Sequence, residues 1–171
     1  MRLGLSVVYS SGSLERMFMD RNWMDEFIRS AVAQQIKRHE QANLAALGAA
    51  QIPKMFKRLC TQIQADVSTY QTKIPGASLQ FEARSDSFMV RHEKFPFFDM
   101  TVFAENQRMR IVTVKKKYSD SADGQTETSL FVTATGEGQA YYRIEGNDRV
   151  FANEPEISEA LLRPLLEFVN S

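Results

Sequence analysis

The sequence is poor in the residues that build metal and redox sites. It contains one cysteine, Cys60, and only two histidines, His39 and His92, among 171 residues. A single cysteine excludes an intramolecular disulfide and every multi-cysteine zinc or iron–sulfur site. The histidines do not stand in HxH or HxxxH spacing, which a two-histidine metal site commonly uses. We therefore expect no metal ion and no cofactor, with Cys60 a small packing residue and both histidines solvated.

The sequence also lacks long apolar runs and net charge. No run approaches the roughly 20 apolar residues that cross a bilayer, and the short apolar start at residues 3–9 is interrupted by Gly4 and Ser6. Lysine plus arginine equals aspartate plus glutamate, at 21 each, so no strong overall field attracts nucleic acid or membranes. We expect a cytoplasmic protein without a membrane span, whose residues 1–12 are loosely ordered.

The N-terminal part of the sequence has the periodicity of helices. Between residues 13 and 74 apolar residues recur at steps of three and four. The clearest stripe consists of Ile52, Phe56, Leu59, Ile63, Val67, Tyr70 and Ile74. Gly48 and Pro53 punctuate the pattern, and proline is tolerated in the first turn of a helix. The pattern predicts an N-terminal helical pair, folded either as a hairpin or as one long kinked helix.

From residue 75 onward the period changes to two, which is typical of strands. A hairpin turn at residues 106–107 aligns the flanking strands so that apolar side chains share one face. The resulting pairs include Val102 with Ile111, Phe103 with Arg110, and Phe97 with Lys116. A turn at residues 85–86 pairs Phe81 with Val90 in the same way, and a three-residue loop after Glu145 pairs Ile144 with Val150. Six or seven antiparallel strands are therefore predicted.

The chain ends in a predicted amphipathic helix. Asn153 and Glu156 have the spacing of a capping box, and Pro164 is expected to kink the helix. The apolar stripe consists of Ile157, Leu161, Leu165 and Phe168. The fold class is thus α+β, with residues 13–74 helical and residues 75–171 forming a curled antiparallel meander closed by a C-terminal helix. We expect the two parts to pack as one unit.

In element order alone, this arrangement resembles barrels of the pleckstrin-homology type. The first hairpin turn, residues 84–87, reads Arg-Ser-Asp-Ser. It is therefore not the basic loop that a phosphoinositide-binding member of that family would need.

The strongest local charge pattern is the basic run around the fourth predicted strand. The candidate ligand-binding residues are Arg108, Arg110, Lys115, Lys116 and Lys117. In the register above, Arg108, Arg110 and Lys116 share the outer face, whereas Lys115 and Lys117 point to the other side. A solvated strand end accounts for this pattern without a ligand, and a polyanion or lipid-headgroup site is the alternative.

No catalytic residue can be assigned. Neither a GxGxxG nor a GxxxxGK loop joins a strand to a helix, and the Gly-Glu-Gly at residues 136–138 indicates a turn. Asp99 and Glu105 could place two carboxylates on one strand face, but an acidic side on an alternating strand is ordinary. An enzyme without a recognisable motif stays a third alternative.

The candidate interface lies in the first helix. Trp23, Met24, Phe27 and Ile28 are apolar and compete with the C-terminal helix for a single apolar sheet face. We predict a non-enzymatic binding or assembly module that acts through its helical half or an exposed sheet surface. A homo-oligomer or a protein partner is expected, rather than nucleic acid or anionic lipid.

Overall fold

The computed structural model describes residues 12–120, 124–135 and 137–171, with side chains from residue 23 onward. By its contacts the chain divides into two compact units, residues 1–42 and 43–171. The predicted loose start lies almost wholly outside the described residues. The elements, in chain order, are α1 (Gly12–Lys73), β1 (Leu79–Ala83), β2 (Ser87–His92), β3 (Phe97–Ala104), β4 (Met109–Lys116), β5 (Gly124–Ala134), β6 (Ala140–Ile144), β7 (Val150–Phe151) and α2 (Glu154–Val169).

The seven strands form one antiparallel sheet in the order of the chain, curled into a half-barrel. The predicted register of the central hairpin is confirmed, with Val102 opposite Ile111 and Phe103 opposite Arg110. The first hairpin also has its predicted register, and Phe81 lies opposite Val90. These registers follow from the alternation of side chains, because a slip of one residue would expose every buried residue of a strand.

The last hairpin corrects the sequence-based register by one residue. Val150 lies opposite Arg143 and not opposite Ile144, so Phe151 pairs with Tyr142. Both of these aromatic side chains are almost fully buried on the inner face. The predicted register would have turned Phe151 to the outer face, and the free energy gained by burying an aromatic ring explains the shift.

Of the two predicted arrangements, a helical hairpin and one long helix, the structure has the single helix α1, which passes through both Gly48 and Pro53. Pro53 lies inside the helix, where it removes only one backbone donor. Gly48 has a packing role: a Cβ atom added there would lie 2.1 Å from the carbonyl oxygen of Val132. The glycine therefore permits close contact between α1 and β5, and it does not mark a helix end.

The core lies between the inner face of the sheet, residues 48–70 of α1 and one side of α2. Five members of the predicted stripe are at most 5% exposed, namely Ile52, Phe56, Leu59, Ile63 and Val67. The Phe56 ring lies 5.4 Å from the ring of Phe88 on β2, measured between centroids. Ile74, the last predicted member, is exposed because α1 ends one residue before it.

Helix α2 begins at the predicted N-cap residue, Asn153. The side chain of Asn153 accepts a hydrogen bond from the Glu156 amide at 3.0 Å and donates one to the Glu156 carboxylate at 2.9 Å. The buried side of α2 is rotated from the predicted stripe. Ser158 and Leu162 are buried together with Ile157 and Leu165, whereas Leu161 and Phe168 are half-buried. On this buried side the Ser158 hydroxyl donates a hydrogen bond to Asp66 of α1.

Candidate functional site

The predicted interface residues lie in the first unit and are exposed. The exposed fraction is 55% for Trp23, 50% for Met24, 66% for Phe27 and 51% for Ile28. Val32 and Ile36, one and two turns further along α1, are equally exposed. Successive members are one, three or four residues apart, and on an ideal helix the six cover roughly 220° of its circumference. We call this set the exposed α1 face.

The opposite side of the helix in residues 23–42 carries acidic and basic side chains. On an ideal helix, Glu26, Arg29 and Lys37 point away from the centre of the exposed α1 face. Residues 23–42 contain three acidic and three basic side chains, so the segment carries no net charge. A second copy of the segment would therefore meet no net electrostatic repulsion.

The two arginines of the predicted basic site are engaged by one carboxylate on the outer face of the sheet. Glu105 accepts from Nε of Arg108 at 3.0 Å and from Nε of Arg110 at 2.7 Å. The Arg110 guanidinium also lies 4.4 Å from the centre of the Phe103 ring. Hydrogen bonds from Arg110 and Arg108 lower the pKa of Glu105. Glu105 therefore offsets part of the positive charge of the two arginines.

The three lysines of the same predicted site are divided between surfaces. Lys115 lies on the inner side of β4, with its Nζ 5.3 Å from the Phe168 ring centre. Lys116 lies on the outer face opposite Phe97, and Nζ of Lys117 is 6.0 Å from the Tyr118 ring centre. The strand alternation separates the neighbouring lysines, so the five basic residues do not form one cluster.

Two further candidate residues are the histidine His92 and the cysteine Cys60. Nδ1 of His92 is 2.9 Å from the carbonyl oxygens of both Lys94 and Pro96, so this nitrogen must be the donor. Cys60 is half-buried, and burial raises the pKa of its thiol. Within the described part of the chain, no three histidine, cysteine, aspartate or glutamate side chains could hold a metal ion together.

Sequence reasoning missed a groove between α1 and α2. It has a volume of about 540 Å³, with Leu162 and Leu166 of α2 and Asp66 of α1 among its lining residues. One feature of the sequence could have indicated this groove. Ser158, Leu162 and Leu166 lie four residues apart, on the side of the helix next to the predicted stripe. A choice between two adjacent stripes on a short helix requires knowledge of the partner helix, which the sequence alone does not provide.

Comparison with known proteins adds no functional information, since no family model, curated protein or solved structure matches the chain. As far as the chain is described, neither helix combines the length and apolarity needed to cross a membrane.

Proposed function

We propose that this protein is a non-enzymatic assembly module that forms a homodimer through the exposed α1 face. The observation that carries the proposal is the exposure of Trp23, Met24, Phe27 and Ile28 on one side of a helix. Contiguous apolar surface of this kind typically marks an interaction site, since burying it in a partner lowers the free energy.

The exposed area is consistent with a second copy of the chain as the partner. Six large side chains that each expose about half of their surface offer on the order of 600 Å² per copy. Two copies would together bury at most roughly 1,200 Å², which reaches the lower end of the range for specific interfaces. The balanced charge of residues 23–42 and the prevalence of two-fold homodimers support the same partner.

A polyanion or lipid-headgroup site receives less support from the geometry. Glu105 is hydrogen-bonded to both Arg108 and Arg110, and the lysines at positions 115–117 are divided between the two sides of β4. Affinity for a polyanion needs several cations directed at the same surface. An enzymatic function has no cluster of catalytic groups to support it within the described residues.

Light scattering coupled to size-exclusion chromatography tests the proposed dimer. We expect a mass of twice the 19.5 kDa chain at tens of micromolar. Phe27→Asp should convert the dimer to a monomer, because it places a charge in the interface. Ala33→Asp is the matched control and should remain dimeric, because it introduces the same acid at an exposed position on the opposite side of the helix.

Trp23 is the only tryptophan and provides a second measurement. Its emission should shift to shorter wavelength as the protein concentration rises, because the ring leaves water on association. Phe27→Asp should abolish that shift while the circular dichroism of the sheet and helices is retained. A wild-type protein that is monomeric at 100-fold dilution and at full concentration alike would refute the proposed dimer.

A further inference from the structure

The groove between α1 and α2 lies wholly within the second unit and shares no residue with the exposed α1 face. Its lining comes from α2 along the entire length of that helix, from Pro155 to Asn170, and from Gln62 and Asp66 on α1. At 1.5 Å per residue, the α2 positions extend over about 22 Å. The α2 side of the groove is therefore about four helical turns long, whereas its α1 side, Gln62 and Asp66, is one turn long.

The floor of the groove is apolar and fixed. Leu162 is 6% exposed, and Leu166 is half-buried beside it. Ser158, which is fully buried, donates a hydrogen bond to Asp66 Oδ2 at 2.5 Å, and Gln62 donates one to Asp66 Oδ1 at 3.0 Å. The first bond links α2 to α1, and the second lies within α1 and orients the Asp66 carboxylate. The leucine surface is thus already formed before a partner binds.

The rim of the groove has an excess of negative charge. Arg163 forms an ion pair with Glu159, so the charges of these two residues offset each other. Asp66 accepts only from neutral donors, and Glu167 has no side-chain partner within the described residues. Two carboxylates therefore remain uncompensated beside the leucine floor, which favours a partner that combines apolar and basic side chains.

We propose that this groove binds a basic amphipathic helix of a partner protein. Apolar residues of that helix, spaced by three or four, would contact Leu162 and Leu166, and its lysine or arginine residues would pair with Asp66 and Glu167. Binding of an amphipathic helix in a groove between two helices is a common recognition mode, and the groove length favours it over a compact small molecule. The protein would then hold one partner helix on each copy of the assembly.

Isothermal titration with synthetic peptides tests the proposal on the full chain. The probe is a capped 16-residue helix of alanine, leucine and lysine with the leucines along one side, and its control carries glutamate in place of every lysine. We expect micromolar binding of the lysine peptide and none of the glutamate peptide. Amide chemical shifts in NMR spectra should change at Ser158, Leu162 and Leu166. Equal binding of both peptides, or no binding of the lysine peptide at millimolar concentration, would overturn the proposal.

One isosteric substitution shows whether a rim carboxylate is responsible. Glu167→Gln removes a charge at almost constant shape and breaks no hydrogen bond of the groove, and we expect it to weaken lysine-peptide binding about threefold. Glu93→Gln, at an exposed position outside the groove, is the control and should bind as the wild type does. Unchanged binding by Glu167→Gln would overturn the proposal.

Two further measurements distinguish recognition of a helix from binding of a simple amphiphile and from an effect of dimer formation. Phe27→Asp should bind the lysine peptide as tightly as the wild type, because the groove lies outside the proposed dimer interface. Octylamine has one apolar chain and one cation, and we expect it to compete with the peptide at least 100-fold more weakly by concentration. If octylamine competes as well as the peptide, or if Phe27→Asp abolishes peptide binding, the groove does not recognise a helix in the proposed way.

Discussion

The hydroxyl of Tyr142 on β6 donates a hydrogen bond to the carbonyl oxygen of Met55 on α1, 87 residues earlier, at 2.9 Å. The same hydroxyl lies 3.2 Å from the carboxylate of Glu154 at the start of α2, which in turn pairs with Arg58 at 3.1 Å. One buried side chain therefore connects the sheet to both helices. A carbonyl oxygen has two lone pairs, so the Met55 carbonyl can accept this bond in addition to its bond within α1.

Tyr142→Phe should lower the free energy of unfolding by about 1 to 2 kcal/mol, because it removes the hydrogen bond of a buried hydroxyl. Burial, and secondarily the charge of Glu154, raise the pKa of Tyr142 above its ordinary 10.0. A raised pKa in the folded state means that this stabilisation is complete below about pH 10 and is lost as the pH rises further. Chemical denaturation between pH 7 and 11 should show this alkaline loss in the wild type. A Tyr142→Phe protein with the same alkaline loss would contradict this role of the hydroxyl.

The sequence predicted the strands well because their determinants are local. Alternation and turn residues were sufficient for the registers of β1 with β2 and β3 with β4. The register of β7 was missed because it depends on burial of Phe151 beside Tyr142, which is a packing effect between strands. The groove was missed for a related reason, since it forms only where Asp66 of α1 meets Ser158 of α2.

For the helical half the sequence left a hairpin and one long kinked helix open, because glycine and proline each have two structural roles. Both residues interrupt helices in many proteins, so a boundary between two helices was one of the two predicted arrangements. In the structure Gly48 is required by contact with Val132, and Pro53 is accommodated within the helix. Distinguishing a packing glycine from a terminating glycine needs the position of the neighbouring strand.

A charge at Val102 tests the sheet register directly. This side chain is fully buried on the inner face, so Val102→Lys should reduce stability by about 3 kcal/mol or more, or prevent folding. Arg110→Lys, on the outer face of the next strand, keeps the charge and should lower Tm by no more than about 3 °C. Thermal denaturation followed by circular dichroism compares the two variants. Equal losses would show that the two residues do not lie on opposite faces.

The lysine run should contribute little to folding. Replacing Lys115, Lys116 and Lys117 by glutamine should change Tm by no more than about 2 °C, because contacts of partly exposed charges contribute little to stability. We also expect the triple variant and the wild type to bind single-stranded DNA and anionic vesicles equally weakly and without specificity. Steeply salt-dependent binding by the wild type alone would instead support a polyanion site at these lysines.

The change in the free energy of unfolding caused by Gly48→Ala shows whether helix propensity or packing dominates at this position, because the two effects have opposite signs. In an exposed helix the change from glycine to alanine stabilises by about 1 kcal/mol. At position 48 the new Cβ atom would lie 2.1 Å from the Val132 carbonyl oxygen, and backbone on both sides must move apart to accommodate it. We therefore expect a net loss of about 1 to 3 kcal/mol in urea denaturation.

Ala50→Gly, two residues along the same helix at an exposed position, is the matched control for this test. It changes helix propensity in the opposite direction without altering a contact, and it should cost about 1 kcal/mol. If packing against β5 determines which residue is most stable at position 48, the protein is more stable with glycine at position 48 and with alanine at position 50. An increase in stability for Gly48→Ala would show that α1 and β5 can separate freely, and the close contact would then have no role in holding the helix to the sheet.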